Sequence, residues 1–227
     1  MFMRFSIVLV LTYWVGQALA QTPSNYYTAL STAGTTELLK NVEGYHLEQG
    51  IQKLRVRQYE YAWGDFDFML RYFPNHPRAL MLMGELCEAW RNPKCNMEHY
   101  LGKAIRISPE NDSVYVAQGV YLQRRNKLKE AIESYKKALE FNVGSANAHY
   151  NLGLAYVATR QYELANEHAQ KAYRMGMTFP GLQSKLVAVG AWKAIPPPSG
   201  EAADTAKMDA NGDNPRDTPQ GAGGGAK

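Results

Sequence analysis

The sequence predicts an all-α solenoid: four helix-turn-helix units stacked in a row, closed by a C-terminal capping helix. Three observations carry that expectation. Residues 112–145 and 146–179 are each 34 long and align without a gap, with Gly119 on Gly153, Leu122 on Tyr156, Leu128 on Tyr162, Ala131 on Ala165 and Ala138 on Ala172. Inside a unit, two apolar runs at i, i+3 and i+4 spacing flank a short polar break, as Tyr115, Gly119 and Leu122 do before Leu128, Ala131, Ile132, Tyr135 and Leu139. Marker glycines at 50, 84, 119 and 153 then carry the period backward in steps of 34, 35 and 34. A fixed period of this size means stacked units, each burying its apolar face against the next.

The four units run 43–76, 77–111, 112–145 and 146–179. Each glycine stands eighth in its unit, where it admits a close second helix despite a helix-propensity cost of about 1 kcal/mol. The second unit holds one extra residue in its inner turn, around Asn92-Pro93-Lys94, where proline cannot continue a helix. Pro74 and Pro109 close the first two units.

Residues 1–20 read as an export signal: Arg4, an apolar run from Phe5 to Val15, and the small residues of Ala18-Leu19-Ala20 before Gln21. The run is shorter than the ~20 residues a bilayer span needs. Cleavage before Gln21 is the expectation, an uncleaved anchor the alternative. Residues 21–36 are polar and read as a flexible leader, with Thr36 capping a helix from Glu37. After Pro180-Gly181, residues 182–192 place Leu182, Leu186, Val189 and Trp192 near one face, as a cap over the exposed end of the array. From residue 194 the chain is rich in Pro, Gly, Ala and Asp, too poor in apolar side chains to offset its ordering entropy, and reads as a disordered tail.

The net charge is +4, and without Arg4 there remain 24 basic against 21 acidic residues, so a nucleic-acid partner is not expected. Cys87 and Cys95 flank the inner turn of the second unit. In an oxidising compartment they fit a structural disulfide; two buried thiols are the alternative, and the C-x-x-C of a redox enzyme is absent. The five histidines are scattered, and His46 and His149 share the fourth position of their units, which favours packing over metal ligation. With no haem-attachment, zinc, phosphate-loop or nucleophile-elbow motif, no enzyme and no cofactor is expected. Among the aromatics of 59–73, Tyr61 and Phe68 fall on the outer face. Either the helix from Glu37 covers them or they form a partner site.

The pattern resembles the tetratricopeptide repeat (TPR) family, best in 146–173, where Leu152-Gly153, Tyr156, Tyr162, Ala165 and Ala172 stand at its signature spacing. His149 replaces the usual tryptophan and Met177 the usual closing proline. The resemblance implies a right-handed solenoid whose first helices line a concave, partner-binding groove. By position it points to Arg55 in unit one, Met81 and Glu85 in unit two, Val116, Val120 and Arg124 in unit three, and Tyr150 and Leu154 in unit four. The Lys/Asn/Arg clamp of cytosolic co-chaperones is not reproduced. With the signal, the expectation is an exported bacterial TPR protein, periplasmic or secreted and not stably inserted in a membrane. It would be a non-catalytic adaptor holding a protein partner of the cell envelope, as in a pilus, secretion or polysaccharide-export assembly. The alternative is a thiol-active or small-ligand-binding protein using Cys87 and Cys95.

Overall fold

The computed structural model describes residues 23–194, and the compact unit ends at Trp192. The predicted signal over 1–20, its cleavage site and the tail from 195 lie outside the described residues. The described residues are helical, in the order α1 (Tyr26–Ala29), α2 (Ala33–Val42), a π-helical turn (Glu43–Leu47) running straight into α3 (Glu48–Arg55), and α4 (Tyr59–Tyr72). There follow α5 (Pro77–Trp90), α6 (Met97–Ile107), α7 (Asp112–Arg124), α8 (Leu128–Phe141), α9 (Ala146–Ala158), α10 (Tyr162–Arg174) and α11 (Gly181–Ala188). The helices from α3 to α10 form four pairs stacked in a solenoid, and α11 caps the last. Short polar side chains start the first helices: His76, Asn111 and Ser145 each accept a hydrogen bond from a backbone N–H in the first turn of α5, α7 and α9.

The marker glycines show why the pairs close. A Cβ built on Gly50 would lie 2.5 Å from the Phe66 ring, and one on Gly119 would clash with the Tyr135 ring. Phe66 and Tyr135 are fully buried and occupy the same position in α4 and α8. Unit four has Ala169 there, and the space over Gly153 is taken instead by Leu182 of α11, whose Cδ2 would lie 2.5 Å from an added Cβ. Unit two departs again. Met97 stands where the other units have Ala62, Ala131 and Ala165, and the nearest atoms to an added Cβ on Gly84 are 3.9 Å away.

The inner turns end their first helices with a residue in the left-handed region: Arg57 (φ 61°), Arg91 (φ 51°), Asn126 (φ 59°) and Arg160 (φ 60°). At Arg57, Asn126 and Arg160 the two following-turn hydrogen bonds of a Schellman cap are made, as Asn126 N–H to Gln123 O (3.0 Å) and Lys127 N–H to Leu122 O (3.0 Å). Glycine, and after it asparagine, is the usual occupant of such a position, and a longer side chain such as arginine costs about 1–2 kcal/mol there. Unit two, with its extra residue, makes one bond, Arg91 N–H to Cys87 O (3.1 Å).

Two expectations need correction. Residues 23–36 are not a loose leader. Asn25 starts α1, and its side chain reaches the fully buried Asn75 and the buried Ser108, donating from Nδ2 to Ser108 Oγ (2.8 Å) and accepting from Asn75 Nδ2 (3.0 Å). Asn75 Oδ1 accepts from Tyr26 N–H (2.8 Å), and its Nδ2 also donates to Ser108 Oγ (2.7 Å). The composition hides this docking, because three polar side chains, Asn25, Asn75 and Ser108, hold the segment beside the buried Ala29 and the half-buried Tyr26. The following helix begins at Ala33, not Glu37, and Thr36 bonds back to Ala29 O (2.7 Å) instead of capping. The capping helix likewise stops at Ala188. Gly190 (φ 69°) ends it, with Ala191 N–H on Leu186 O (2.9 Å), leaving Val189 exposed while Trp192 packs edge-on against Tyr173.

Gly119→Ala is therefore expected to lower stability by about 1–3 kcal/mol through overpacking. Gly84→Ala should be neutral or stabilising by up to about 1 kcal/mol, from helix propensity. Paired urea melts check the contrast. Asn75→Leu should cost about 1–3 kcal/mol, because the part-buried Tyr26 N–H and Asn25 lose their buried partner; hydrogen exchange at Tyr26 should rise in the same variant.

Candidate partner-binding groove

The first helices α5, α7 and α9 pack on one another in order and present one wall. The core behind that wall is divided. Residues from Ala29 to Tyr121 form one apolar cluster and residues from Val116 to Trp192 another, so α7 contributes Val114, Ala117 and Tyr121 to the first and Val116 to the second. Along the wall, Arg55, Glu85 and Arg124 are exposed, while Met81, Val120, Tyr150 and Leu154 are half-buried. Val116 is 7% exposed and belongs to the core, so its expected role in partner contact does not hold in this conformation. Its position faces the groove by repeat count, but α8 and α9 pack closely enough to cover it.

Arg55 and Glu85 come together in a cleft of about 500 Å³ between units one and two, lined also by Leu54, Arg57, Tyr59, Arg78 and Leu82. Glu85 links onward to Arg124, with the nearest nitrogen and oxygen 3.9 Å apart. Tyr150 is not free. Its ring meets Phe179 edge-on at 6.0 Å, and its hydroxyl would lie 2.8 Å from a Cβ added to Gly181. The chain entering the cap thus leans on Tyr150, which sequence spacing alone does not disclose. On the outer face Phe68 is covered by His46, stacked at 4.1 Å, whereas Tyr61 remains 68% exposed.

Cys87 and Cys95 form a disulfide across the inner turn of unit two, with Cα atoms 5.1 Å apart. This decides between the bonded and free-thiol readings. The two fourth-position histidines each reach a residue nineteen further on. His46 Nδ1 lies 3.0 Å from Asp65 Oδ1, and Lys53 Nζ is 2.7 Å from the other oxygen of that buried carboxylate. His149 Nε2 donates to Val143 O (3.0 Å), so its Nδ1 is left to accept the Nδ1–H of His168 at 2.8 Å. Burial first, then the neighbouring His149 and Lys171, lower the His168 pKa to about 4, with Glu167 opposing; burial lowers His149 as well. Tyr156 packs on the other side of His168, with ring centroids 5.6 Å apart.

Two family descriptions match this chain, a TPR repeat over residues 124–159 and a tetratricopeptide repeat over residues 146–175. Together they mark residues 124–175 as tetratricopeptide-type repeat, in the stretch where the third and fourth helix pairs stack. Among solved structures, PilF of Pseudomonas aeruginosa superposes with a TM-score of 0.50 at 18% identity, over 67% of this chain and 71% of that one. PilW, a widely conserved type IV pilus biogenesis factor, superposes equally, at 0.50 and 18% over 66% and 71%. At such identity the likeness is one of fold. Protein O-mannosyl-transferase TMTC3 of Mus musculus is 28% identical over 94 residues, 41% of this chain and 10% of that protein. Anaphase-promoting complex subunit 3 of Schizosaccharomyces pombe is 31% identical over 72 residues, 32% of this chain and 11% of that protein. The chain thus spans about a tenth of the length of the curated relatives it matches.

The histidine pair gives a pH dependence. An unfolded histidine titrates near 6.5, and the native His168 near 4. Between those values the unfolded chain binds the proton and the native one does not, so stability falls as pH falls through that window. Melting temperature should drop from pH 7 to 5, before most carboxylates protonate, and His168→Gln should flatten the slope. His76, also lowered by burial, contributes a remainder that the variant leaves in place.

Proposed function

We propose that the array is a non-catalytic adaptor that holds a segment of a protein partner against its first-helix wall, and that it works in the cell envelope. The observation that carries this is the wall itself: half-buried Met81, Val120, Tyr150 and Leu154 flanked by exposed Arg55, Glu85 and Arg124. Solenoids use such extended concave surfaces for binding, and a partner helix or extended segment needs an apolar strip with polar edges. The export-signal pattern of residues 1–20 supports an envelope location, and so does a disulfide, which persists in oxidising compartments. PilW, which shares the fold, is a pilus biogenesis factor; a pilus, secretion or polysaccharide-export assembly is the setting we assign.

The test is capture from an envelope extract on the immobilised full chain, beside Val120→Gln and Leu154→Gln variants whose melts match wild type. The captured partner, once purified, should bind the wild type at least about tenfold more tightly than either variant, the loss expected of a contact worth about 1.4 kcal/mol or more. Equal affinity for both variants, with loss on Tyr61→Ala instead, would move the working surface to the outer face.

A further inference from the structure

A second cleft, of about 680 Å³, opens where the inner turns of units two and three meet, at the rim of the wall. One side is the disulfide loop, Cys87 to Cys95, with Arg91, Asn92 and Pro93; the other is the end of α7, with Tyr121, Arg124, Arg125 and Asn126. Three guanidiniums face a cleft whose one carboxylate is Glu88. Their charge is little spent elsewhere. Arg125 donates to the Tyr121 hydroxyl (3.1 Å), and Arg124 approaches Glu85 only to 3.9 Å. The Arg91 side chain has no ion pair or hydrogen-bond partner among the described residues.

Arg91 sits in the left-handed region at a helix end, as Asn126 does across the cleft and Arg57 and Arg160 do in the other inner turns. The extra residue of unit two and the disulfide both lie in this loop, and the bond fixes the loop against α5. The result is a preorganised set of planar cations beside a tyrosine and two amide side chains, and it opens beside the groove through Arg124 and Glu88.

We propose that this cleft binds acidic side chains of a protein segment, with Arg91 and Arg125 as the principal contacts. Guanidinium forks match carboxylates in paired hydrogen bonds, and Arg124 makes the cleft continuous with the first-helix wall. The proposal rests on the adaptor reading for the partner being a protein, but not for the site itself. An acidic residue beside the groove-bound stretch would fix the direction in which that segment lies.

The experiment uses the full chain and a fluorescein-labelled hexaglutamate peptide, read by anisotropy at low salt, with hexaglutamine, inorganic pyrophosphate and vesicles of anionic lipid as parallel probes. Wild type binds hexaglutamate saturably, with affinity falling as salt rises, and does not bind hexaglutamine. Arg91→Gly and Arg125→Gln each weaken binding by at least about tenfold, as expected for the loss of a charge-assisted pair. Arg91→Gly removes the guanidinium while relaxing the backbone, so its melting temperature holds or rises and misfolding cannot explain the loss. Arg160→Gly, the same turn position in unit four, leaves affinity unchanged. Absence of saturable hexaglutamate binding overturns the proposal, as does equal loss in Arg160→Gly or none in Arg91→Gly and Arg125→Gln. Tighter, Arg91-dependent binding of pyrophosphate or vesicles overturns it in favour of a phosphate or lipid ligand. Val120→Gln separates the two readings: it disturbs the groove but should leave hexaglutamate binding intact.

Discussion

Close approach of the two helices of a pair is the constraint this array rests on, and in units one and three it is set by what rests on the eighth-position glycine. Where the second helix supplies a ring, as Phe66 over Gly50 and Tyr135 over Gly119, the ring lies directly against bare backbone. Tyr135 also places its hydroxyl 2.9 Å from Gln123 Oε1, so the polar end of a fully buried side chain is satisfied within its own pair. Protein interiors are packed to crystal-like density, and a ring that fits in this way leaves no room for a methyl group. The spacing of the pairs then fixes how far apart the first helices stand, and hence the pitch of the wall on which a partner would lie.

Much of the fold was legible because its period is covalent arithmetic. A glycine, an alanine and an alanine at constant offsets betray close contacts whatever lies between them. The same arithmetic missed the N-terminal segment, since Asn25 and Tyr26 belong to no repeat and dock through the buried amide of Asn75. A single asparagine 50 residues from its partner leaves no periodic trace. The end of the capping helix was missed for a simpler reason. Gly190 adopts a left-handed conformation that stops α11 short of Trp192, though the apolar spacing continues past it.

The candidate site was legible only in outline. Repeat position points to Arg55, Glu85 and Arg124, which are exposed, but carries no measure of burial within a position. Val116 and Val120 both count as groove residues and differ because α8 and α9 close over one of them. Tyr150 owes its contacts to Phe179 and Gly181, which follow the last repeat. The inner turns did carry a readable sign: three arginines and an asparagine at the position where a helix end prefers glycine. Seeing that these residues adopt positive φ, and that two of them face one cleft, required the backbone.

The replacement of a ring by Leu182 over Gly153 has a consequence for the modularity of the chain. Units one and three carry their own filler, so each is a link that can be followed by another. Unit four has Ala169 in that place and borrows its filler from α11. It is a terminus by construction. Copying residues 146–179 in tandem would create two slots for a single plug and leave one vacant, so lengthening of this array is easier by duplicating the third unit than the fourth. Growth of the repeat number is thereby directed inward, away from the C-terminal end.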